Sequence, residues 1–152
     1  MQLRLGMIGV WGRAYYLKDH LHRPDGESVI VAGADVSDFA LEKFTEYAGP
    51  EALATKDYRE LLKCDDLDAV IICSPDKFHK EHAVAALEAG HHIYLEKPMS
   101  ITTEGCDQIC RAAKRSGRKL MIGFPLRYSP VVKRVKELID EGALGEVKAV
   151  WM

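Results

Sequence analysis

The sequence of 152 residues predicts an α/β fold, a doubly wound and mostly parallel sheet with helices on both faces. Short apolar runs alternate along the chain with helical, amphipathic stretches, and each run is stopped by proline or by polar residues. The runs are apolar throughout instead of alternating with polar residues. This is typical of parallel strands that are covered on both faces.

Five apolar runs are the predicted strands, and a sixth begins at the end of the chain. The five are LRLGMIGV, ESVIVAGADV, DAVIICSP, HHIYLEKP and RKLMIGFP. The final ALGEVKAVWM alternates apolar and polar residues and predicts the start of another strand. It stops without a turn or a partner, so we expect the chain to be the first part of a longer protein.

Two predicted helices lie in the middle of the chain. Asp57 and Glu60 have the spacing of a capping box, which opens a short helix. The stretch HKEHAVAALEAG is a second helix that ends at Gly90, a residue suited to the position after a helix.

Two further helices follow. The stretch EGCDQICRAAKRSG stops at Gly117, and the apolar face predicted for it consists of Cys106, Ile109, Cys110 and Ala113. In the last helix, Ser129 is the predicted N-cap and Pro130 the first helical residue, and the helix ends at Gly142.

The composition indicates an ordinary globular protein, with 47% hydrophobic and 29% charged residues and a formal net charge of -2. This balance gives no electrostatic reason to expect nucleic acid or an anionic membrane surface as a partner. There is no signal-peptide pattern and no apolar window long enough to cross a membrane. The cysteines lack C-x-x-C spacing and favour buried thiols in a reducing compartment, so a cytoplasmic location is expected.

A possible phosphate-binding loop follows the first predicted strand. The pattern of dinucleotide folds is G-x-G-x-x-G/A, and the ungapped match here runs Gly9, Val10, Trp11, Gly12, Arg13, Ala14. Trp11 stands where a bare glycine normally lets backbone N–H groups approach phosphate. A shortened loop in which Gly12 takes that role restores the pattern, and a plain strand–turn–helix is the alternative.

Asp35 ends the second predicted strand, about twenty residues after the loop, where the fingerprint places an acid. A carboxylate there accepts hydrogen bonds from the adenosine ribose hydroxyls and repels a 2′-phosphate. No arginine follows it, which favours NAD over NADP. The alternative is that Asp35 only caps the next helix.

Two stretches carry a specific family resemblance. AVIICSPDKFHKEHAVAALEAGHHIYLEKPMS combines a strand, Ser-Pro, a histidine, an alanine-rich helix and a strand ending in Glu-Lys-Pro. RKLMIGFPLRYSPVVKRVKELIDEGALGEV continues with a Gly-Phe segment and a Gly-x-Leu-Gly turn. Together they closely resemble the glucose–fructose oxidoreductase, inositol dehydrogenase and rhizopine-catabolism (Gfo/Idh/MocA) family.

The resemblance implies a Rossmann domain over residues 1–124 and an α+β domain of which residues 125–152 are only the start. It also implies a nicotinamide cofactor and oxidation of a sugar, inositol or related polyol. The open sheet of the second domain often forms oligomers in this family, so a homo-oligomer is expected. Because the family's Asp and His that act as acid and base belong to that domain, the 152-residue chain alone is expected to be inactive.

The same resemblance assigns roles at the nicotinamide end of the site. Ser74 and Pro75 would line the nicotinamide side of the cleft, and His79 would lie near the cofactor. Glu96 would hold the nicotinamide ribose or order the lysine that follows it. The Lys97–Pro98 bond is often cis in this family.

Lys97 is the one catalytic residue that the resemblance places in this chain, in contact with both the ribose and the substrate hydroxyl. The chemistry supports the assignment. Hydride leaves a carbinol carbon as its hydroxyl loses a proton, and a cation beside that oxygen stabilises the developing alkoxide. The alternative is a solvated lysine in a turn, where Pro98 only ends the strand.

The chain departs from the family pattern at three positions. Trp11 replaces the central glycine of the loop, Asp76 stands for the usual asparagine, and Pro125 replaces a later asparagine. Asp76 would place negative charge near the nicotinamide and favour its oxidised form, or it would cap the helix that starts near Lys77. Arg127 matches a family arginine, and a structural ion pair explains it equally.

No metal site is predicted. His79 and His82 are three residues apart on one helical face, whereas a stronger zinc signal has histidines four apart with a third ligand nearby. We therefore expect His82 to face the surface. His91 and His92 precede a strand and are expected to meet solvent or a helix end.

Two functional hypotheses follow. The first is an NAD-dependent oxidoreductase in which Lys97 serves the hydride site. The second is a nucleotide-sensing or regulatory module of the same fold without chemistry, since the indole of Trp11 would either obstruct the phosphate loop or swing aside and cover the cofactor. The intact Glu96-Lys97-Pro98 element favours the enzyme.

Overall fold

Six strands form the centre of the molecule in the computed structural model, which describes residues 2–151. They are β1 (Leu3–Ile8), β2 (Ser28–Ala34), β3 (Leu53–Thr55), β4 (Ala69–Ile72), β5 (His92–Glu96) and β6 (Leu120–Gly123). All pair in parallel into one sheet of order β3-β2-β1-β4-β5-β6. This is the doubly wound arrangement that the alternating sequence predicts, so the predicted fold class is confirmed.

Six α-helices connect or follow these strands. They are α1 (Arg13–Leu21), α2 (Asp38–Ala48), α3 (Tyr58–Leu61), α4 (His79–Glu88), α5 (Thr103–Ser116) and α6 (Pro130–Asp140). Short 3₁₀ turns at Asp76–Phe78 and Pro125–Tyr128 precede α4 and α6. The glycines predicted to follow helices, at 90, 117 and 142, all have positive φ and stand just beyond α4, α5 and α6.

One hydrophobic core lies on each face of the sheet, because side chains of a strand point alternately to the two faces. Leu5 and Met7 of β1 pack with Phe44 of α2 on one face. Ile8 packs on the other with residues of α3, α4 and α5, including Leu61, Leu87 and Ile109. The centre of the sheet is therefore covered on both sides, which explains why its strands are apolar throughout.

Gly33 of β2 shows how closely a helix approaches the sheet. A Cβ placed on Gly33 would lie 2.6 Å from the ring of Phe44, closer than real Cβ contacts. Phe44 is fully buried and fills the space that the missing side chain leaves. Adding volume in such a packed core strains the fold, so glycine is the residue that fits.

The predicted apolar face of α5 was wrong in part. The buried residues of that helix are Gly105, Ile109 and Ala112, and Cys110 is exposed. A Cβ on Gly105 would lie within 3.2 Å of the side chains of Ser100 and Thr102, so small residues allow the close approach. Cys64, Cys73 and Cys106 are half-buried, so the prediction of buried thiols is wrong most clearly for the exposed Cys110.

The strand predicted at the chain end is absent from residues 143–151, which form a turn and then a segment without regular secondary structure. Met152, the last residue of that predicted strand, lies outside the described residues. The alternating pattern is present, but a strand needs a neighbour to accept its ladder hydrogen bonds, and none within residues 2–151 pairs with this segment.

The capping box at α3 forms only in part. Asp57 caps the helix by accepting a hydrogen bond from the Arg59 N–H at 2.9 Å. Glu60 does not return the bond to Asp57, because it accepts the hydroxyl proton of Thr55. Ser129 is the N-cap of α6 as predicted, although its side chain makes no capping hydrogen bond.

Candidate dinucleotide-binding site

The residues selected from the sequence meet at the carboxyl ends of four neighbouring strands. Gly9 follows β1, Asp35 follows β2, Ser74 lies just beyond β4, and Lys97 follows β5. The connection from β1 runs to β2 on one side, whereas β4 lies on its other side, so the topology switches direction between β1 and β4. Ligands of open α/β sheets bind in the crevice at such a switch point.

The loop between β1 and α1 needs both of its glycines. Gly9 has φ +80°, and a Cβ on it would lie 2.7 Å from the backbone nitrogen of Ser74. Gly12 has φ 60° and ψ -116°, is the N-cap of α1, and supplies no side-chain cap. The first N–H groups of α1 are therefore left to bind an anion.

Trp11 packs beside this loop. Its ring centroid lies 4.6 Å from that of Tyr15 on α1 and 5.1 Å from that of Phe39 on α2. The indole is 39% exposed and does not belong to the lining of either cavity described below. It thus leans on the two helices that flank the loop.

Asp35 is half-buried and binds backbone on both sides. Its Oδ2 accepts a hydrogen bond from the Val10 N–H at 3.1 Å, and its Oδ1 accepts one from the Ser37 N–H at 3.0 Å. The N-cap of α2 is Ser37, whose hydroxyl oxygen accepts from the Ala40 N–H. The alternative in which Asp35 caps that helix is therefore wrong.

One cavity of about 380 Å³ opens beside Asp35, and we call it the β2 cavity. Its floor is formed by the ends of β1 and β2, and its walls come from α3 and from the β4–α4 connection. The residues that line this cavity include three aromatic or histidine side chains, namely Tyr58, Phe78 and His82. None of the three was selected as a cofactor ligand from the sequence.

His82 does not face the surface as predicted. Its ring is half-buried between Tyr58, at a centroid distance of 4.4 Å, and Phe78, at 5.8 Å. Its Nδ1 lies 2.8 Å from the Ser74 Oγ. Burial lowers the pKa of His82, because the charged imidazolium loses water contact there.

A second cavity of about 440 Å³ lies at the end of β5, and we call it the β5 cavity. It brings together six residues selected from the sequence with Pro125, one of the departures from the family pattern. The complete lining is Arg13, Ser74, Asp76, His79, Glu96, Lys97 and Pro125. Ser74 lines both cavities, so the two are adjacent across the β4–α4 connection.

Glu96 is the most connected side chain of the β5 cavity and is 5% exposed. Its Oε1 accepts hydrogen bonds from the Arg13 Nε at 2.9 Å and from the Tyr94 hydroxyl at 3.2 Å. Its Oε2 accepts from the backbone N–H of Lys97 at 3.1 Å. Of the two roles expected for Glu96, the structure contains the one in which it orders the lysine segment.

The pKa values around Glu96 reflect this arrangement. The hydrogen bond to Glu96 and the attraction of its charge raise the pKa of Arg13. Burial, assisted by the Glu96 charge, raises the pKa of Tyr94 to about 12. Tyr94 was missed in the sequence, although its position two residues before Glu96 on one strand places both side chains on the same face.

Lys97 is exposed at the mouth of the β5 cavity, and its bond to Pro98 is cis, as the resemblance implies. Among residues 2–151, its Nζ forms neither a hydrogen bond nor an ion pair with another side chain. A charged ammonium group that no carboxylate neutralises is thus available to a bound molecule.

His79 lines the same cavity and is buried, with 1% of its surface exposed. Its Nδ1 lies 2.6 Å from the Pro98 carbonyl oxygen and its Nε2 lies 2.8 Å from the Ser74 carbonyl oxygen. The ring therefore ties the β4–α4 connection to the turn that follows β5.

Asp76 is exposed in the same cavity, as the first residue of the 3₁₀ turn. The N-cap of that turn is Pro75 and no side chain caps it, so the capping role considered for Asp76 is wrong. Its carboxylate forms no hydrogen bond or ion pair within the described part of the chain.

His91 likewise differs from its prediction. It is 6% exposed, and its ring nitrogens lie 3.2 Å from the Leu67 carbonyl oxygen and 3.1 Å from that of Leu62. It lies just before β5, at the amino ends of the strands and opposite the two cavities.

Within residues 2–151, no three His, Cys, Asp or Glu side chains are grouped as metal ligands would be. Nor does any helix in this range have the length and apolar character needed to span a membrane.

The fold and the site together define a dinucleotide-binding Rossmann domain: a switch point, a glycine loop opening a helix, and a carboxylate after β2. A model of the oxidoreductase family with an NAD-binding Rossmann fold (Gfo/Idh/MocA) matches residues 3–124. The chain belongs to this family.

Similar proteins include two curated dehydrogenases. The 1-carboxy-3-chloro-3,4-dihydroxycyclohexa-1,5-diene dehydrogenase of Comamonas testosteroni is 34% identical over 97% of this chain and 37% of its own length. The inositol 2-dehydrogenase/D-chiro-inositol 3-dehydrogenase of Halalkalibacterium halodurans is 33% identical over 96% of this chain and 42% of its own. The chain thus spans about two fifths of the length of these relatives.

The fold also matches solved structures. The scyllo-inositol dehydrogenase of Lactobacillus casei, solved with bound NAD(H) and scyllo-inositol, superimposes with a TM-score of 0.86. The match covers 96% of this chain and 43% of that one, at 24% sequence identity. At that identity the comparison supports the fold alone.

Proposed function

We propose that this chain is the cofactor-binding part of an NAD-dependent dehydrogenase that oxidises a hydroxyl carbon of a sugar, inositol or related polyol. The observation that carries the proposal is Lys97, an exposed ammonium without a carboxylate partner in the described chain, at the carboxyl end of β5. Family membership and the inositol dehydrogenase among the relatives support the substrate class.

The residues of the chain fit a dinucleotide along the crevice. The free N–H groups at the start of α1 would bind the pyrophosphate, together with the loop residues Gly9, Val10, Gly12 and Arg13. Asp35 would accept the adenosine ribose hydroxyls. Ser74, Pro75 and Asp76 would border the nicotinamide, whose chemistry when bound is to accept the hydride.

Lys97 would act on the substrate. Its ammonium group beside the reacting hydroxyl stabilises the alkoxide that develops as the hydroxyl proton leaves and the hydride departs. Glu96 supports this role, because it accepts a hydrogen bond from the Lys97 backbone N–H and so restricts the position of the lysine backbone.

The preference for NAD over NADP is part of this proposal. A 2′-phosphate would meet the carboxylate of Asp35, and the cations nearby are already engaged. Lys56 Nζ lies 2.7 Å from an Asp38 carboxylate oxygen, and Arg59 pairs with Glu81 at 3.0 Å. Because each cation already has a carboxylate partner, its attraction for a 2′-phosphate is reduced.

Calorimetric titration with NADH and NADPH tests the cofactor proposal, with Asp35→Asn as the decisive variant. We expect the unmodified chain to bind NADH more tightly than NADPH by about tenfold or more, equivalent to about 1.4 kcal/mol. Asp35→Asn should weaken the binding of NADH, because an amide accepts hydrogen bonds from the ribose less strongly than a carboxylate does. It should also reduce the difference in affinity between NADH and NADPH, because the neutral amide does not repel a 2′-phosphate. An unchanged NADH:NADPH ratio would contradict the role of Asp35.

The remaining parts of the proposal concern the whole protein. We propose that residues 1–124 form the cofactor domain, that residues 125–152 begin a substrate and oligomerisation domain, and that the protein is cytoplasmic. The 152-residue chain alone should bind NADH without turning over inositol, and hydride transfer by it would contradict this division. The regulatory alternative gains no support from Trp11, whose indole packs on Tyr15 and Phe39.

A further inference from the structure

The two hydrogen-bond partners of His79 are both acceptors. Carbonyl oxygens of Ser74 and Pro98 face its two ring nitrogens at 2.8 and 2.6 Å. A neutral imidazole carries one N–H and one lone pair, so it satisfies only one of them. On the other side, the nitrogen lone pair would then oppose a carbonyl lone pair at hydrogen-bond distance. Only a ring protonated on both nitrogens donates to both oxygens.

Burial makes this arrangement consequential. His79 is 1% exposed, and polar groups buried without partners are costly. The charged groups around it include two carboxylates and two cations of the β5 cavity, namely Asp76, Glu96, Arg13 and Lys97. Glu96 is already paired with Arg13, whereas Asp76, three residues before His79, has no partner among the described residues. His82, one turn further along α4, is held neutral mainly by burial, which lowers its pKa.

We propose that His79 is a positioning residue for Lys97 and that it acts as an imidazolium donating one hydrogen bond to Ser74 and one to Pro98. The inference rests on the proposed function, in which Lys97 serves the reacting hydroxyl. It assigns to His79 a structural charge behind the site instead of contact with the cofactor.

The consequence for Lys97 is that its segment is held at two points. Glu96 binds its backbone N–H, and His79 binds the carbonyl of the next residue. Hydrogen bonds with a charged partner are shorter and about twice as strong as neutral ones. Through Ser74, whose hydroxyl meets His82, the same ring links the turn to the wall of the β2 cavity.

His91 provides a matched control. It is also buried, and both of its ring nitrogens also face carbonyl oxygens, but at 3.1 and 3.2 Å. It lies at the amino ends of the strands, opposite the two cavities, where it joins the segments that precede β4 and β5. A substitution there tests the cost of losing a buried histidine without touching the turn of Lys97.

The first test is the ¹⁵N NMR spectrum of the histidines in the full 152-residue chain at pH 7, assigned with His79→Gln. We expect both nitrogens of His79 to carry protons and to show one-bond N–H couplings. One protonated and one unprotonated nitrogen would overturn the imidazolium. The couplings are measured on the unmodified chain, and where the variant folds poorly the His79 signals are assigned through their correlation with the backbone.

The second test compares His79→Gln with His91→Gln. Glutamine has a single donor nitrogen, so it cannot bridge the two carbonyls as the imidazolium does. We expect His79→Gln to weaken NADH binding about tenfold, or about 1.4 kcal/mol, and to raise the rate at which an amine-specific reagent modifies Lys97. His91→Gln should lower the melting temperature and leave both readouts unchanged. Equal effects of the two variants on Lys97 modification would overturn the positioning role.

The outcomes also separate this inference from the proposed function. If the unmodified chain binds no NADH, the proposed function fails, whereas the protonation of His79 and its effect on Lys97 modification are still measured. If NADH binds and the His79 nitrogens prove neutral, the inference fails alone.

Discussion

At the scale of single residues, the site combines side chains whose partners are backbone groups. Asp35 binds two N–H groups, Glu96 binds one, and His79 faces two carbonyls. Such contacts hold loops at the ends of strands, where the backbone has no ladder partners. Lys97 and Asp76 are the contrasting cases, since both are exposed and have no partner among residues 2–151.

A residue-scale prediction concerns His82 and acid. Burial lowers its pKa below the ordinary 6.5, so the unfolded chain takes up a proton more readily than the folded one. The stability contributed by neutral His82 is complete above pH 6.5 and is lost as the pH falls through its folded-state pKa. Urea unfolding at pH 7.5 and pH 5 should therefore show a smaller loss in His82→Gln than in the unmodified chain.

The exposed His20 on α1 supplies the control for that experiment. His20→Gln should keep the full acid-dependent loss of stability. If His82→Gln lost as much stability as the unmodified chain between the two pH values, the buried neutral imidazole would not be the cause.

At the scale of elements, the sequence predicts what depends on continuous patterns. The five apolar strands and the glycines after α4, α5 and α6 are where they were expected. β3 was missed because it has three residues, pairs only with β2, and leaves Leu53 exposed, so it carries no apolar run. The buried face of α5 differs from the predicted one because Gly105 and Ala112 are buried at close contacts that only small residues allow. A pattern of large apolar residues does not reveal such positions.

The site divides in the same way. Gly9, Asp35 and Lys97 follow strands directly, so their meeting at one edge of the sheet could be predicted from strand order. The pair of Arg13 with Glu96 and the tilted ring contact of Tyr58 with His82 join elements far apart in the chain. Such contacts depend on how the helices pack on the sheet, which the local sequence does not determine.

An element-scale prediction compares two helix N-caps. The Thr102 hydroxyl oxygen accepts a hydrogen bond from the Gly105 N–H at 3.0 Å, whereas Ser129 makes no side-chain cap for α6. Thr102→Ala should therefore cost about 1 kcal/mol of unfolding free energy. Ser129→Ala should change it by less than about 0.5 kcal/mol. Chemical denaturation measures both, and comparable losses would contradict the assigned caps.

At the scale of the whole molecule, α6 stands apart from the rest. None of its residues is buried, and Val131 and Val135 on it are 72% and 45% exposed. Every strand except β3, together with α1 to α5, instead contributes to the two cores on the faces of the sheet. We therefore expect the fold of residues 2–124 not to depend on α6.

Truncation after residue 124 tests this independence and the proposed domain division together. We expect the shortened chain to keep its cooperative unfolding and its NADH affinity within about twofold, because the cores and most of both cavities lie before residue 125. Pro125 is the only lining residue removed. Loss of cooperative unfolding would show that residues 125–152 belong to the first domain.

The position of the switch point has a further consequence for how the chain is divided. The sheet has a seam between β1 and β4, with three strands contributed by residues 3–55 on one side and three by residues 69–123 on the other. The linking segment between α3 and β4 lies at the edge opposite both cavities. A break in the chain there would leave two half-sheets, each holding part of the crevice, and a dinucleotide spanning the seam would join them. Because one core also crosses this seam and joins Ile8 and Leu61 to Leu87 and Ile109, we expect the two fragments to reassemble and bound nucleotide to favour their assembly.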